Sequence, residues 1–160
     1  DCALQGPFAG NNNNLRFLIV EKKEKINQVA HFSEQDWIGE AGILIIVCAD
    51  ETHLEEVYGE RGRVYSRQQA GAAIQTLMLK LTELGLSSCW VGAYSDAEIK
   101  KEFSIPENIQ IEAIIPVGYE NETASKKGKK DLENSLFWEE WKMNRRPTKH
   151  EEGKNDYALE

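Results

Sequence analysis

The chain has 160 residues, enough for one domain with a sizeable core, and 41% of them are hydrophobic. Its formal net charge of −8 argues against nucleic acid as the main partner, because phosphate-binding surfaces are basic. No apolar run is long enough to cross a bilayer and no secretory or transit signal is visible, so we expect a cytoplasmic protein without a membrane partner.

The cysteines and histidines do not suggest a metal site. The three cysteines, at positions 2, 48 and 89, are widely spaced and form no Cys-x-x-Cys pair. The histidines also lack ligand spacing, so zinc is not expected. An odd number of cysteines without a secretion signal fits a reducing compartment. The sequence begins at Asp1 instead of Met, and we expect that a preceding segment is missing from it.

The chain opens with an Asn-rich turn over residues 6–14, which leads into a predicted strand over 15–20. A short helix with inward apolar residues is predicted over 24–32. Ser33 is predicted to cap a second helix, because Asp36 stands at the third helical position after it.

The apolar run over 43–49 predicts a central strand that is covered on both faces. Cys48 lies within this run and is interpreted as a small buried hydrophobic residue. Asp50 is predicted to cap the next helix, which extends to Tyr58.

The longest predicted helix has apolar residues at steps of three and four between Ala70 and Leu84, which indicates a buried face. Ser66 and Gln69 are predicted to form a capping box at its start. Gly85 can adopt the left-handed conformation that ends a helix. The helix is too apolar for the surface of a monomer, which predicts a dimer.

A second capping box, made by Ser95 and Glu98, predicts another helix. The third strand is predicted over 109–117. Because three strands make an incomplete sheet, we expect further strand pairing from a partner chain or from missing residues.

The end of the chain is polar. A loop over 120–130 contains four lysines, and the segment 132–141 is amphipathic. The remainder is charged and poor in apolar residues, which is typical of an arm or a disordered tail. We therefore predict one domain over 1–141 and a charged tail over 142–160.

Three segments have the chemistry that flavin mononucleotide (FMN) needs: amides for the pyrimidine edge, backbone and apolar walls for the flat ring, and cations for the phosphate. Asn11 and Asn13 each carry a donor and an acceptor. The Trp90–Gly92 loop can present backbone N–H groups, and its glycine allows close approach of a ring. Lys127 and Lys129 can hold a phosphate.

Each segment also has an ordinary structural interpretation: a turn that favours Asn, a core Trp beside a turn glycine, and a solvated lysine loop. No GxGxxG or P-loop pattern is present, and no catalytic triad or paired carboxylates stand out. If the protein is an enzyme, a cofactor would therefore supply its chemistry, and no side chain is assigned a catalytic role.

Three blocks of the sequence resemble the FMN-dependent nitroreductase family. Residues 7–17 (PFAGNNNNLRF) are similar to the family's Pro-Ser-x-x-Asn-x-Gln-Pro-Trp-x-Phe segment. Residues 70–92 are similar to its long interface helix and the loop beneath the flavin. Residues 114–119 (IIPVGY), the lysine loop and Leu132-Glu133 are similar to its late strand, phosphate-contacting loop and C-terminal arm.

The resemblance implies an α+β fold with a mixed sheet flanked by helices, and an intertwined homodimer that holds one FMN in each of two interface sites. It implies flavin contacts from Pro7, Phe8, Ala9, Asn11, Asn13 and Trp90. It places Val91 and Gly92 beside N5 of the flavin, and Lys127 and Lys129 at the phosphate.

The sequence departs from the family pattern at several of these positions. Phe8 stands where the family has Ser, Asn13 where it has Gln, and Asn14-Leu15 where it has Pro-Trp. Lys129 stands in place of an Arg, a point charge instead of a bidentate fork. The family's N-terminal Arg-Arg-Ser segment, which grips the phosphate, is not in this sequence.

These features leave three hypotheses. The leading one is a flavin oxidoreductase with NADH or NADPH as donor, a nitroaromatic, quinone or similar small molecule as acceptor, and ping-pong kinetics. The second is a non-enzymatic or degenerate flavin-binding dimer module, since the Asn block is weakened and the Arg segment is absent. The third is an α/β domain that shares only the fold and binds another ligand.

Overall fold

The computed structural model describes residues 1–121, 128–129 and 132–142. The chain divides into two compact units, Asp1–Asn121 and Glu122–Glu160. In the second unit, the predicted amphipathic segment contains a 3-10 helix at Leu132–Ser135. The predicted division of the chain into 1–141 and 142–160 stays a prediction.

The first unit alternates strands and helices, as the sequence predicted. In chain order they are β1 (Leu15–Val20), α1 (Lys23–Phe32), β2 (Ile43–Asp50), α2 (Thr52–Tyr58), α3 (Glu60–Glu83), β3 (Ser87–Ser88), α4 (Asp96–Phe103) and β4 (Ile109–Gly118). Short 3-10 helices lie at Cys2–Gln5, Ala9–Asn11 and Asp36–Glu40. The three predicted strands are confirmed, each to within one residue at its ends.

The strands form one sheet in the order β1-β2-β4-β3, and its three pairings are antiparallel. The predicted α+β fold is confirmed, but the described strands contain none of the parallel pairing that a mixed sheet would have. The fourth strand comes from this chain and was missed, because two residues are too few to show a strand's alternating pattern. The pairing predicted from a partner chain stays a prediction.

The sheet lies between two layers of helix. On β2, Leu44, Ile46 and Cys48 face α1 and α4, while Ile45 and Val47 face α3. The interior of β2 is buried on both faces, as its continuous apolar run predicted. Cys48 is buried, also as predicted.

The end of α3 was predicted correctly and its start was not. Gly85 has a φ of 75°, and the N–H of Leu86 donates to the carbonyl of Leu81 at 2.9 Å, which closes the helix. The helix begins at Glu60, directly after a left-handed Gly59. Ser66 and Gln69 therefore lie inside the helix, buried, and do not cap it.

The other three predicted helix caps can be compared with the structure one by one. Asp50 is not the N-cap of α2, which is Glu51. Its Oδ1 still accepts a hydrogen bond from the N–H of Thr52 at 3.1 Å, which stabilises the start of the helix. Ser95 precedes α4, but its hydroxyl makes no capping bond. Ser33 is wrong as an N-cap, since it follows the last residue of α1 and the next element is a 3-10 helix.

Among the described residues, none of the helices combines the length and the apolar character needed to cross a membrane.

Candidate functional site

The first candidate segment is the Asn-rich turn at residues 6–14, called here the asparagine loop. Gly10 and Asn11 both have left-handed backbones, with φ of 57° and 56°, so the chain reverses direction there. The N–H of Asn11 donates to the carbonyl of Phe8 at 3.0 Å, which closes the turn. The side chain of Asn11 is exposed and has no hydrogen bond to any described residue, so both its donor and its acceptor are available.

Asn13 and Asn14 have different environments. The Oδ1 of Asn13 accepts a hydrogen bond from the N–H of Leu15 at 3.0 Å, so its side chain can offer a ligand donors more readily than acceptors. Asn14 is buried, and its Nδ2 donates to the Oγ of Ser66 at 2.9 Å and to the carbonyl of Asp50 at 3.0 Å. Asn14 therefore holds the loop to the domain.

Gln69 on α3 was missed as a site residue. Its Oε1 accepts the N–H of Ala9 at 3.1 Å, and its Nε2 donates to the carbonyl of Asn12 at 3.2 Å and to the Oδ1 of Asn14. The sequence contained a usable signal, since Ser66 and Gln69 lie on the same helical stripe as the buried Ala70 and Ala73. Polar residues in a buried stripe need partners, and here the partners are in the asparagine loop.

The other predicted residues of this loop have structural contacts of their own. Phe8 is half-buried and packs on a small cluster that includes Leu15 and Ala70. Ala9 is half-buried, with its N–H bound by Gln69, and Pro7 is exposed. Their predicted flavin contacts stay predictions.

The second candidate segment, Trp90–Gly92, extends the sheet beyond β3. Val91 is buried and forms an isolated bridge with Ile114, so its N–H is occupied. Trp90 is 42% exposed. Gly92 is exposed, and a Cβ built on it would meet no atom within 4 Å. Its N–H has no partner among the described residues.

The two segments lie at opposite edges of the sheet. The asparagine loop leads directly into β1, and Trp90–Gly92 follows β3, which are the two outer strands. Three strand spacings, about 14 Å in all, separate the edges. Along α3, Gln69 lies 14 residues before the last residue, Glu83, which corresponds to about 21 Å of helix. One chain therefore does not bring the two segments together.

The third candidate segment is only partly described. Lys129 is exposed and belongs to the second compact unit, while Lys127 lies outside the described residues. The predicted phosphate contacts of both lysines stay predictions.

Two polar cavities lie near these segments. One, of about 490 Å³, lies between the end of α1 and the start of α4, and its walls include Ala93 and Tyr94, which directly follow Gly92. The other, of about 380 Å³, is lined by residues that include Glu51 and Arg67. Neither is lined by a residue predicted to contact flavin.

Three buried or half-buried groups have raised pKa values. Burial raises the pKa of the Cys48 thiol to about 11. Burial also raises the pKa of Tyr94, whose hydroxyl donates to the carbonyl of Ile111 at 2.9 Å. Glu112 lies at an irregularity in the β2–β4 pairing, and burial followed by the charge of Glu51 raises its pKa. Among the described residues, no cluster of three or more His, Cys, Asp or Glu side chains could hold a metal ion.

Known proteins are similar to this chain in sequence or in fold. The "Putative NADH dehydrogenase/NAD(P)H nitroreductase" of Methanothermobacter thermautotrophicus is 29% identical over 148 residues, which cover 88% of this chain and 73% of that protein. A nitroreductase family protein from Clostridium difficile 630 superposes with a TM-score of 0.76 at 26% identity, covering 88% of this chain and 82% of that one.

A second structure, the NADPH:FMN oxidoreductase from Vibrio harveyi complexed with NAD+, superposes with a TM-score of 0.77 at 16% identity. The superposition covers 88% of this chain and 65% of the Vibrio harveyi chain. At 16% identity, this similarity shows the fold alone. The model of the Nitroreductase family matches residues 27–119, more than half of the sequence. The chain therefore belongs to the nitroreductase family.

Proposed function

We propose that this chain is one subunit of an FMN-dependent oxidoreductase that passes hydride from NADH or NADPH to an electron-poor acceptor, such as a nitroaromatic or a quinone. Membership of the nitroreductase family supports an oxidoreductase. The Methanothermobacter relative is named for NAD(P)H, and the Vibrio harveyi neighbour for NADPH and FMN. The name of the Methanothermobacter relative supports a nicotinamide donor here, while FMN is the cofactor that the sequence resemblance implies. We place the reaction in the cytoplasm, as the composition predicted.

The observation that carries the proposal is the set of unpaired polar groups at the two edges of the sheet. At the β1 edge these are the whole amide of Asn11 and the Nδ2 of Asn13. At the β3 edge it is the N–H of Gly92, beside open space. A flavin ring needs these same groups: amides at its pyrimidine edge, and a backbone donor with no side chain in the way near N5.

Because the two edges lie about 14 Å apart, we infer that one ring is held between two subunits, with one edge contributed by each. The outer face of α3 offers a surface for this association. It exposes Leu79 to 62% and Val64 to 44%, on a helix whose opposite face is in the core. A homodimer would cover these side chains.

Bound FMN would supply the hydride chemistry, at N5, between the nicotinamide and the acceptor. This chain's residues would hold and orient it. Asn11 can satisfy a donor and an acceptor of the pyrimidine edge, while Asn13 supplies a donor. Gly92 would aim its N–H at the ring, and Lys127 and Lys129 would hold the phosphate. In this proposal no side chain of the chain acts as an acid or a base.

The test adds FMN to the purified chain and measures quenching of flavin fluorescence, then NADH and NADPH oxidation with a nitroaromatic and a quinone. Parallel steady-state plots are expected, since donor and acceptor would use the same slot in turn. Asn11→Gly removes the amide but keeps the left-handed backbone, and should weaken FMN binding. Asn12→Ala is the matched control, because the Asn12 side chain has no described hydrogen bond.

The same experiment separates the alternatives. Bound FMN without turnover by any acceptor would favour a flavin-binding module. A chain that leaves FMN fluorescence unchanged would overturn the proposal and leave only the fold in common with the family.

A further inference from the structure

We propose that Gln69, together with Asn14 and Ser66, is a positioning device that fixes which polar groups of the asparagine loop are presented to a ligand. This inference rests on the proposed function for the identity of that ligand. The device itself follows from contacts within the chain, and these contacts leave the side-chain amide of Asn11 and the Nδ2 of Asn13 unpaired.

The first element of the device is a buried polar cluster. Ser66, Gln69 and Asn14 are exposed to only 0%, 4% and 5%. Each hydrogen-bonds another member of the cluster: Asn14 donates to Ser66, and Gln69 donates to Asn14. A cluster with these groups paired internally is rigid, because breaking one bond leaves a desolvated polar group without a partner.

The second element is the connection of this cluster to the main chain of the loop. Gln69 bonds the N–H of Ala9 and the carbonyl of Asn12, which lie on either side of the left-handed pair Gly10 and Asn11. One side chain from α3 therefore holds both ends of the turn that presents the Asn11 amide. Asn14, two residues after Asn12, is itself anchored, because its Nδ2 donates to the carbonyl of Asp50.

The chemical consequence is preorganisation. With Ala9, Asn12 and Asn14 fixed, Asn11 is left free at the tip and Asn13 has its Oδ1 occupied by Leu15. A ligand that binds there does not have to order the loop, so less of its binding energy is lost to that ordering. Gln69 does not contact the ligand in this account and acts through the loop.

The test compares Gln69→Met with Gln68→Glu and the unmodified chain. Met has a similar length but no hydrogen-bonding amide, whereas Gln68 is an exposed neighbour on the same helix. Hydrogen exchange of the loop amides, measured without FMN, should be at least about tenfold faster in Gln69→Met. Dissociation constants for FMN and for riboflavin should both rise about tenfold, because the altered loop would contact the flavin ring, which both ligands share, and not the phosphate. The absorption band of bound flavin should also shift.

A merely destabilised fold would not give this pattern. Ile38→Val loosens the fully buried core on the opposite face of the sheet, and should lower the melting temperature without changing loop exchange or flavin affinity. Ser66→Ala removes a single bond of the cluster and should give a smaller effect in the same direction, which keeps the test usable if Gln69→Met does not fold.

Unchanged exchange of the loop amides and unchanged flavin affinity in folded Gln69→Met would overturn the inference. A chain in which exchange responds as expected, but which binds no FMN, would support the device and contradict the proposed function.

Discussion

Val91 and Ile114 exchange two backbone hydrogen bonds: the N–H of Val91 donates to the carbonyl of Ile114 at 2.9 Å, and the N–H of Ile114 donates back at 3.1 Å. In an antiparallel pair, the residues on either side of such a position direct their N–H groups away from the neighbouring strand. The bridge therefore turns the N–H groups of Trp90 and Gly92 outward. It also occupies the N–H of Val91, a residue that the family resemblance had implied to lie beside N5.

Gly92→Ala tests whether a flat ligand lies on this edge. The added methyl group has open space within the chain, so folding stability should be unchanged. If a ring packs there, FMN affinity should fall about tenfold, roughly 1.4 kcal/mol. Gly42→Ala is the matched control, since its new Cβ would be 3.7 Å from the nearest atom, an ordinary contact. Equal flavin affinity in both variants would contradict the proposed ring position.

Gly10→Ala should destabilise the asparagine loop. Its φ of 57° is unfavourable for a side chain, at a cost of roughly 1–2 kcal/mol in urea unfolding. The new Cβ would also lie 2.6 Å from the hydroxyl of Tyr58, which can move because it ends a half-exposed side chain. Adding Tyr58→Phe should therefore recover only a small part of the loss. Asn11→Gly, at the adjacent left-handed residue, should be neutral or stabilising, and a loss there would contradict this reasoning.

Leu79→Glu should dissociate the proposed dimer. A charge at an exposed apolar position of α3 is tolerated in a monomer, but it would be buried without a partner at an interface. Sedimentation should show dimer affinity reduced about thirtyfold or more, the effect of losing one interface hot spot. Trp37→Glu makes a similar change at a 43% exposed residue next to the core of the opposite face and should leave the dimer intact. A wild-type chain that is monomeric at micromolar concentration would refute the dimer directly.

Glu112 should make the folded chain less stable as the pH rises above the ordinary glutamate range. Burial raises the pKa of the Glu112 carboxyl in the folded state above its ordinary value, so the folded chain holds this proton where the unfolded chain has released it. Stability then falls as the pH increases through that interval. Glu112→Gln should be more stable than the wild type near pH 7, with the difference shrinking below about pH 4.5. Glu98→Gln removes an exposed carboxylate and serves as the control for the loss of one charge.

The sequence predicted elements whose periodicity is long and regular. The strands β1, β2 and β4 and the closure of α3 at Gly85 were all identified, because apolar patterning and a left-handed glycine leave local signals. The start of α3 was not identified, because Ser66 and Gln69 have the residue types of a capping box at the right spacing. Their partners lie more than fifty positions away in the sequence, and local spacing carries no information about them.

The candidate site was predicted as three segments, and the structure adds how two of them are arranged. That Asn11 is free and Asn14 is buried depends on the fold, since both are asparagines in one run of four. The N–H of Val91 is occupied and the N–H of Gly92 is not, because Val91 is the residue that pairs with Ile114. Such differences follow from tertiary pairing, which a single sequence does not contain.

The outer edge of β1 has a practical consequence for handling this protein. Among the described residues, Leu15–Val20 pairs with β2 on one side only, and Ile19 within it is 50% exposed. A six-residue strand with a free row of N–H and C=O groups is a template for adding a strand from any other molecule. Concentrated or heated samples of this chain should therefore tend to aggregate edge to edge, and a charged or proline substitution at Ile19 is the first one to try when solubility limits an experiment.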